Sequence, residues 1–108
     1  MAAVERTAYP QLKRNPVVRE LVTAFTPNDA ELIFVADRVK SPPHRLTFAL
    51  LLKAFQRLGY FASLEDIPIA IVRHVRTAMK LRQPVKPAVV DLKTLYRYQR
   101  HFRDYLRV

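Results

Sequence analysis

The sequence predicts an all-α fold: a single compact domain of five or six helices, with a C-terminal half resembling a helix-turn-helix. Three observations predict it. Apolar residues recur at helical spacing through most of the chain, and no stretch alternates as a strand would over a useful length, the short "IAIV" aside. The eight prolines sit mostly where helices start, and the single glycine, Gly59, sits where one stops. The length, 108 residues with half of them hydrophobic, suits one core and is too short for two.

The elements follow in order. Asn15-Pro16 reads as a cap and first helical residue, opening a helix through Phe25. In "TPND", Thr26 is the expected cap, Pro27 the first position and Asp29 the capping-box partner. The second helix then buries Leu32, Ile33, Val35, Ala36 and Val39. "SPP" at 41–43 introduces "HRLTFALLLKAFQRLG", whose apolar residues surround most of the helix axis. Such a helix is central, with Phe48, Leu52 and Phe55 in the core and Gly59 at its C-terminal end. Pro68 opens a fourth helix with Ile71, Val72, Val75, Ala78, Met79 and Leu81 inward, and the acidic pair Glu65-Asp66 ahead of it serves its N-terminus. "RQPVKP" is a break. "AVVDL" reads as a brief helix, and Thr94 as the cap of a last helix over 95–107. That brief helix, a tight turn near "KT" and the last helix make the helix-turn-helix pattern.

The formal net charge is +10, and it is unevenly spread. Residues 1–66 hold nine Lys/Arg against seven Asp/Glu, whereas residues 67–108 hold ten against only Asp91 and Asp104. That asymmetry points to a polyanionic partner for the second half. No apolar run is long enough to span a bilayer, and the N-terminus lacks the apolar stretch of a signal peptide. The absence of cysteine excludes disulfides and thiolate zinc sites and suits a cytoplasmic location.

The charge concentrates on the last helix, "LYRYQRHFRDYLR". On a helical wheel Leu95, Tyr98, Phe102, Tyr105 and Leu106 form the face that docks on the core, and Tyr96, Gln99, Arg100, Arg103 and Arg107 form the outer face. Arg97, His101 and Asp104 lie on the flank. Like charges three or four residues apart cost about 0.2–0.5 kcal/mol per pair, so an outer face this cationic requires a reason. Arginine takes guanine, glutamine takes adenine, and Lys or Arg pairs with phosphate, which are the groups a helix needs in a DNA major groove. Arg73, Arg76 and Lys80 line the solvent side of the fourth helix, and Arg82, Lys86, Lys93 and Thr94 follow in the connection. These residues, with Tyr96, Arg97, Gln99, Arg100, Arg103 and Arg107, are the expected DNA contacts.

Other chemistry is excluded on simple grounds. His44, His74 and His101 have no second ligand three or four residues away, so no metal is expected. One glycine cannot build a phosphate-cradling loop. No catalytic set of Ser, His and Asp stands out. The chain is not expected to be an enzyme by itself, and neither a cofactor nor a small-molecule substrate is expected.

The order of motifs adds a family likeness. "ERTAYPQLKR" at 5–14, "FTPNDAEL" at 25–32, "SPPHRLTFALLLKAFQRLGYF" at 41–61, "DIP" at 66–68 and "IVRHV" at 71–75 together resemble the N-terminal region of Tn-three family transposases. Arg45-Leu46, Phe48-Ala49, Leu52, Arg57-Leu58-Gly59 and Phe61 match that family's central pattern; Thr94, Arg97, Phe102, Arg103, Asp104 and Leu106 match its last helix. The likeness runs from about Glu5 to Leu106. It departs at Thr47 and Arg107, where glycine is usual, and at Tyr98, where histidine is common. The resemblance implies an N-terminal fragment of a longer bacterial transposase, whose first DNA-binding domain recognises the terminal inverted repeats of a replicative transposon. It also implies that the catalytic Asp, Asp and Glu lie in a later domain with no counterpart here.

The leading expectation is therefore sequence-specific binding of double-stranded DNA, with the remaining transposase domains as protein partners and no membrane partner. The runner-up is a protein-interaction module whose basic face docks on an acidic domain or a second subunit. Binding of RNA or single strands comes third, since exposed aromatic platforms would be needed and only Tyr96 lies on the outer face.

Overall fold

A computed structural model of the chain describes residues 12–82 and 85–107. The motif "ERTAYPQLKR" thus lies largely outside the described residues. Five helices carry the fold: α1 (Val18–Phe25), α2 (Asp29–Arg38), α3 (Pro42–Leu58), α4 (Ile69–Ala78) and α5 (Leu92–Leu106), with a short 3-10 turn at Leu64–Asp66. There is no strand among the described residues.

α3 is the axis of the molecule. Pro42 opens it, because the first helical N–H has no partner to lose, and Gly59 closes it at a φ of 84°, a left-handed conformation that glycine takes without a Cβ clash. Every residue from Leu46 to Ala54 is buried. α1 and α4 pack on α3 and on each other, α2 packs on α3, and Phe25, Val35, Ile71, Val72 and Val75 meet α3 in one core. Phe55 is only partly buried, at the margin of that core, where it stacks on Phe61 at 4.3 Å. The residue at the centre is Phe48.

Several helix ends differ from expectation, each for a local reason. α1 begins at Val18, two residues after Pro16, because Val17 keeps extended backbone. The capping box of α2 is built by Asn28 and Glu31, not by Thr26 and Asp29. Asn28 Oδ1 accepts from the Glu31 N–H at 2.8 Å, and Glu31 Oε1 accepts from the Asn28 N–H at 2.9 Å. Asparagine caps well and the longer glutamate side chain reaches back to it. Thr26 instead ends α1, with its hydroxyl 2.7 Å from His74 Nε2. The buried set of α2 becomes Glu31, Phe34 and Val35, at i, i+3 and i+4, and Ile33 is left 70% exposed. Glu65 and Asp66 lie in the 3-10 turn, and Pro68 precedes α4 with no side-chain cap.

The greatest difference lies before α5. "AVVDL" forms no helix until Leu92, so the brief helix and tight turn of a helix-turn-helix are absent. Pro87 denies a helix one N–H and drives Lys86 toward extended backbone. The segment becomes a strap across the N-terminal half of α3. The Ala88 N–H donates to Pro43 O at 3.2 Å, and the buried Thr47 hydroxyl lies 2.7 Å from Ala88 O and 3.2 Å from Pro43 O. The departure at Thr47 from the resembled family thus has a structural use, since a glycine offers no hydroxyl to the strap.

Three groups contribute to the acid response of the fold. Burial holds His74 below its ordinary 6.5. Burial, then the Arg38, Arg97 and Arg100 guanidiniums, do the same to His101 against the opposing pull of Asp104. At Glu31, burial pushes upward but loses to the Asn28 N–H, Gln56 and Lys53, leaving the carboxyl below its ordinary 4.5. For all three the folded value lies below the unfolded one. Their stabilisation is therefore complete above the unfolded value and is lost as pH falls through the folded one. Urea midpoints should fall in two stages, first below 6.5 and again below 4.5. A midpoint that stays level from 6.5 down past 4.5 contradicts these assignments.

Candidate nucleic-acid interface

α5 starts one turn earlier than its sequence alone suggests, because Asp91 rather than Thr94 caps it. Asp91 Oδ1 accepts from the Thr94 N–H at 2.8 Å, and this bond holds the carboxyl below its ordinary range. Aspartate caps at least as well as threonine and adds its charge to the positive end of the helix.

The inner face of α5 is aromatic. Tyr98 and Phe102 are buried against the Phe48 ring at centroid distances of 4.8 and 4.9 Å, and Tyr105 stacks on Phe34 at 4.2 Å. Burial pushes the Tyr98 phenol above its ordinary range. Five aromatic rings from α2, α3 and α5 thereby fix the roll of α5 about its axis. The opposite face is exposed: Lys93, Tyr96, Arg97, Arg100, Arg103 and Arg107. Tyr96 is 58% exposed. Gln99 is half-buried and sits on the flank, not on the outer face as expected. The Arg103 guanidinium lies 5.3 Å from the centroid of the Phe61 ring, a cation–π contact that orients it without neutralising it. α5 ends at Leu106, and Arg107 takes a left-handed φ of 58°. That conformation explains why glycine suits this position in the resembled family.

The cations of α4 divide. Arg73 is exposed, but Arg76 is 8% exposed and its Nη1 donates to Val85 O at 3.2 Å. It anchors the strap and is largely buried, not on the open solvent side of α4 where its spacing put it; the strap that buries it arrives from nine residues away and leaves no trace in the periodicity of α4. Lys80, exposed, follows α4 in a left-handed conformation, with Lys80 N–H to Thr77 O and Leu81 N–H to Arg76 O both at 3.0 Å closing the helix. Arg73, Arg76 and Lys86 line one shallow groove with Ile69 and Pro87. Arg82 is exposed in the connection.

A second groove, of about 280 Å³, runs along the N-terminal half of α5. One wall is Thr94, Arg97 and Tyr98; the other is Arg38, Val39, Lys40, Ser41 and His44, from the end of α2 and the start of α3. The sequence reading missed Arg38, Lys40 and His44. Basic residues at a helix C-terminus read as partners of its dipole, and the one available signal was their position beside the "SPP" break. Among the described residues no helix is long and apolar enough to cross a membrane.

Fold and surface together define an all-α domain that presents one aromatic-backed, cationic helix face. The chain belongs to the family described as a domain of unknown function, DUF4158, whose model matches residues 1–108. Neither a curated protein nor a solved structure matches it.

Proposed function

We propose that this chain is a sequence-specific duplex-DNA-binding module, the N-terminal domain of a bacterial Tn-three family transposase that reads the terminal inverted repeats of its element in the cytoplasm. In this reading the chain itself performs no catalysis. The observation that carries it is the outer face of α5: three exposed arginines, Lys93 and Tyr96 on a helix whose opposite face is locked into the core, with exposed Arg107 just past its end. Fifteen residues give α5 a length of roughly 22 Å, enough to lie along a major groove. The charge asymmetry of the chain and the motif resemblance support the same reading.

The earlier start of α5 puts Lys93, Tyr96 and Arg100 in its leading turns, where a recognition helix meets bases, and Arg97 on the side that faces the α2–α3 junction. Arg103, held on Phe61, and Arg107, at the far end, suit phosphates. Selection from a randomised duplex library should yield a preferred sequence for the wild-type chain. Arg100→Ala should then lose about 1–3 kcal/mol of preference for that sequence over random duplex. Its circular dichroism should be unchanged, since Arg100 is exposed. No enrichment in the selection defeats the reading. Full preference in Arg100→Ala moves base reading off this helix, with Arg73 and Lys86 the next surface to test.

A further inference from the structure

The groove between the α2–α3 junction and α5 contains no carboxylate. Its polar lining is Arg38, Lys40, Ser41, His44, Thr94 and Arg97. Arg38 pairs with its neighbour Asp37 and lies 5.3 Å from the Phe34 ring centroid, which steadies its guanidinium. Lys40 and Arg97 are exposed and make no ion pair among the described residues. The Ser41 hydroxyl is 3.1 Å from His44 Nδ1, so a hydroxyl and an imidazole meet at the same wall. Arg38 and Arg97 line the groove from its opposite walls.

Like charges are not gathered this way without cost. The Lys40 ammonium and the Arg97 guanidinium, neither of them ion-paired among the described residues, repel each other across one cavity, and an anion relieves that repulsion while hydroxyls and imidazole complete its hydrogen bonds. Pro42 and Pro43 at the start of α3 withhold two of the N–H groups a helix N-terminus would offer. Side chains, not the helix end, therefore supply the recognition.

We infer that this groove holds a backbone phosphate of the DNA duplex that α5 enters, with Lys40 and Arg97 as its principal cations and Arg38 and His44 beside them. The inference rests on the duplex-binding reading and adds the second wall to it. A helix in a major groove runs between two phosphate backbones, so a cationic groove beside its leading half is where the flanking strand passes.

The test compares three forms of the chain on a short duplex of random sequence and on a single-stranded RNA of the same length, over a range of salt. They are the wild type, Lys40→Gln/Arg97→Gln, and the control Arg14→Gln/Arg19→Gln. The control removes the same charge from exposed positions in and before α1. The groove variant is expected to bind on the order of tenfold more weakly, with a salt slope lower by about one, while the control stays close to wild type. All substituted residues are exposed, and circular dichroism verifies the fold. Equal losses in the two variants, or no loss in the groove variant, overturn the inference and leave duplex binding standing. A wild-type chain that binds no duplex defeats the functional reading itself. Loss confined to a single-stranded RNA probe assigns the groove to another class of partner and also overturns the inference.

Discussion

Glu31→Ala is expected to cost about 3–5 kcal/mol, the loss typical of removing one partner from a buried ion pair. Glu31 and Lys53 are both buried, with Lys53 Nζ at 3.1 and 3.3 Å from the two carboxylate oxygens. Gln56 Nε2 donates to Glu31 Oε2 at 2.7 Å, and Oε1 also accepts from the Asn28 N–H in the capping box. One side chain therefore ties the start of α2 to α3 and neutralises the only lysine in the core of α3. Alanine leaves the ammonium without a counter-charge, the amide without its acceptor and the cap half-made. Lys53→Met in the same background removes the stranded charge and should recover a large part of the loss. Urea midpoints of the two single variants and the double variant measure this directly. A loss below about 1 kcal/mol in Glu31→Ala shows that Lys53 escapes to solvent and that the pair does not hold the helices together.

The second large effect is at Phe48. Its ring touches those of Phe34, Tyr98 and Phe102 at 5.4, 4.8 and 4.9 Å, joining α2, α3 and α5 at one point. Phe48→Ala is expected to cost about 3–5 kcal/mol, a large share of the stability of so small a domain. The damage should concentrate on α5, whose seat is lost. Hydrogen exchange should show the amides of α5 losing protection before those of α3 and α4. Phe55→Ala, on the same helix but at the edge of the core, should cost clearly less. Equal costs at the two positions contradict the central place given to Phe48.

Much of this architecture was legible in the chain because its signals are local. The start of α3 at Pro42 and its stop at Gly59 follow from the missing N–H of proline and the missing Cβ of glycine. The burial of Tyr98 and Phe102 follows from their spacing on one helix. Signals two residues apart were harder to separate. "TPND" and "NDAE" both resemble caps, and Asn28 with Glu31 prevails because Glu31 also finds Lys53 and Gln56 on another helix. Nothing within α2 announces that partner. The absent helix at "AVVDL" has the same origin: its composition tolerates a helix, but Thr47 and Pro43 hold it as a strap.

The sequence by itself determined the helical class, the central helix and the cationic outer face of α5, since periodicity, proline and glycine stops and net charge act within a few residues. Only the tertiary structure decided which charges stand together. Arg76 reads like Arg73 on a helical wheel, yet the docked strap buries it and satisfies it with a carbonyl. Arg38, Lys40 and His44 look like ordinary residues around a helix break until α5, seated on Phe48 and Phe34, brings Arg97 and Thr94 across from them. A long-range packing contact sets that proximity, and no local pattern encodes which surface charges it will bring face to face.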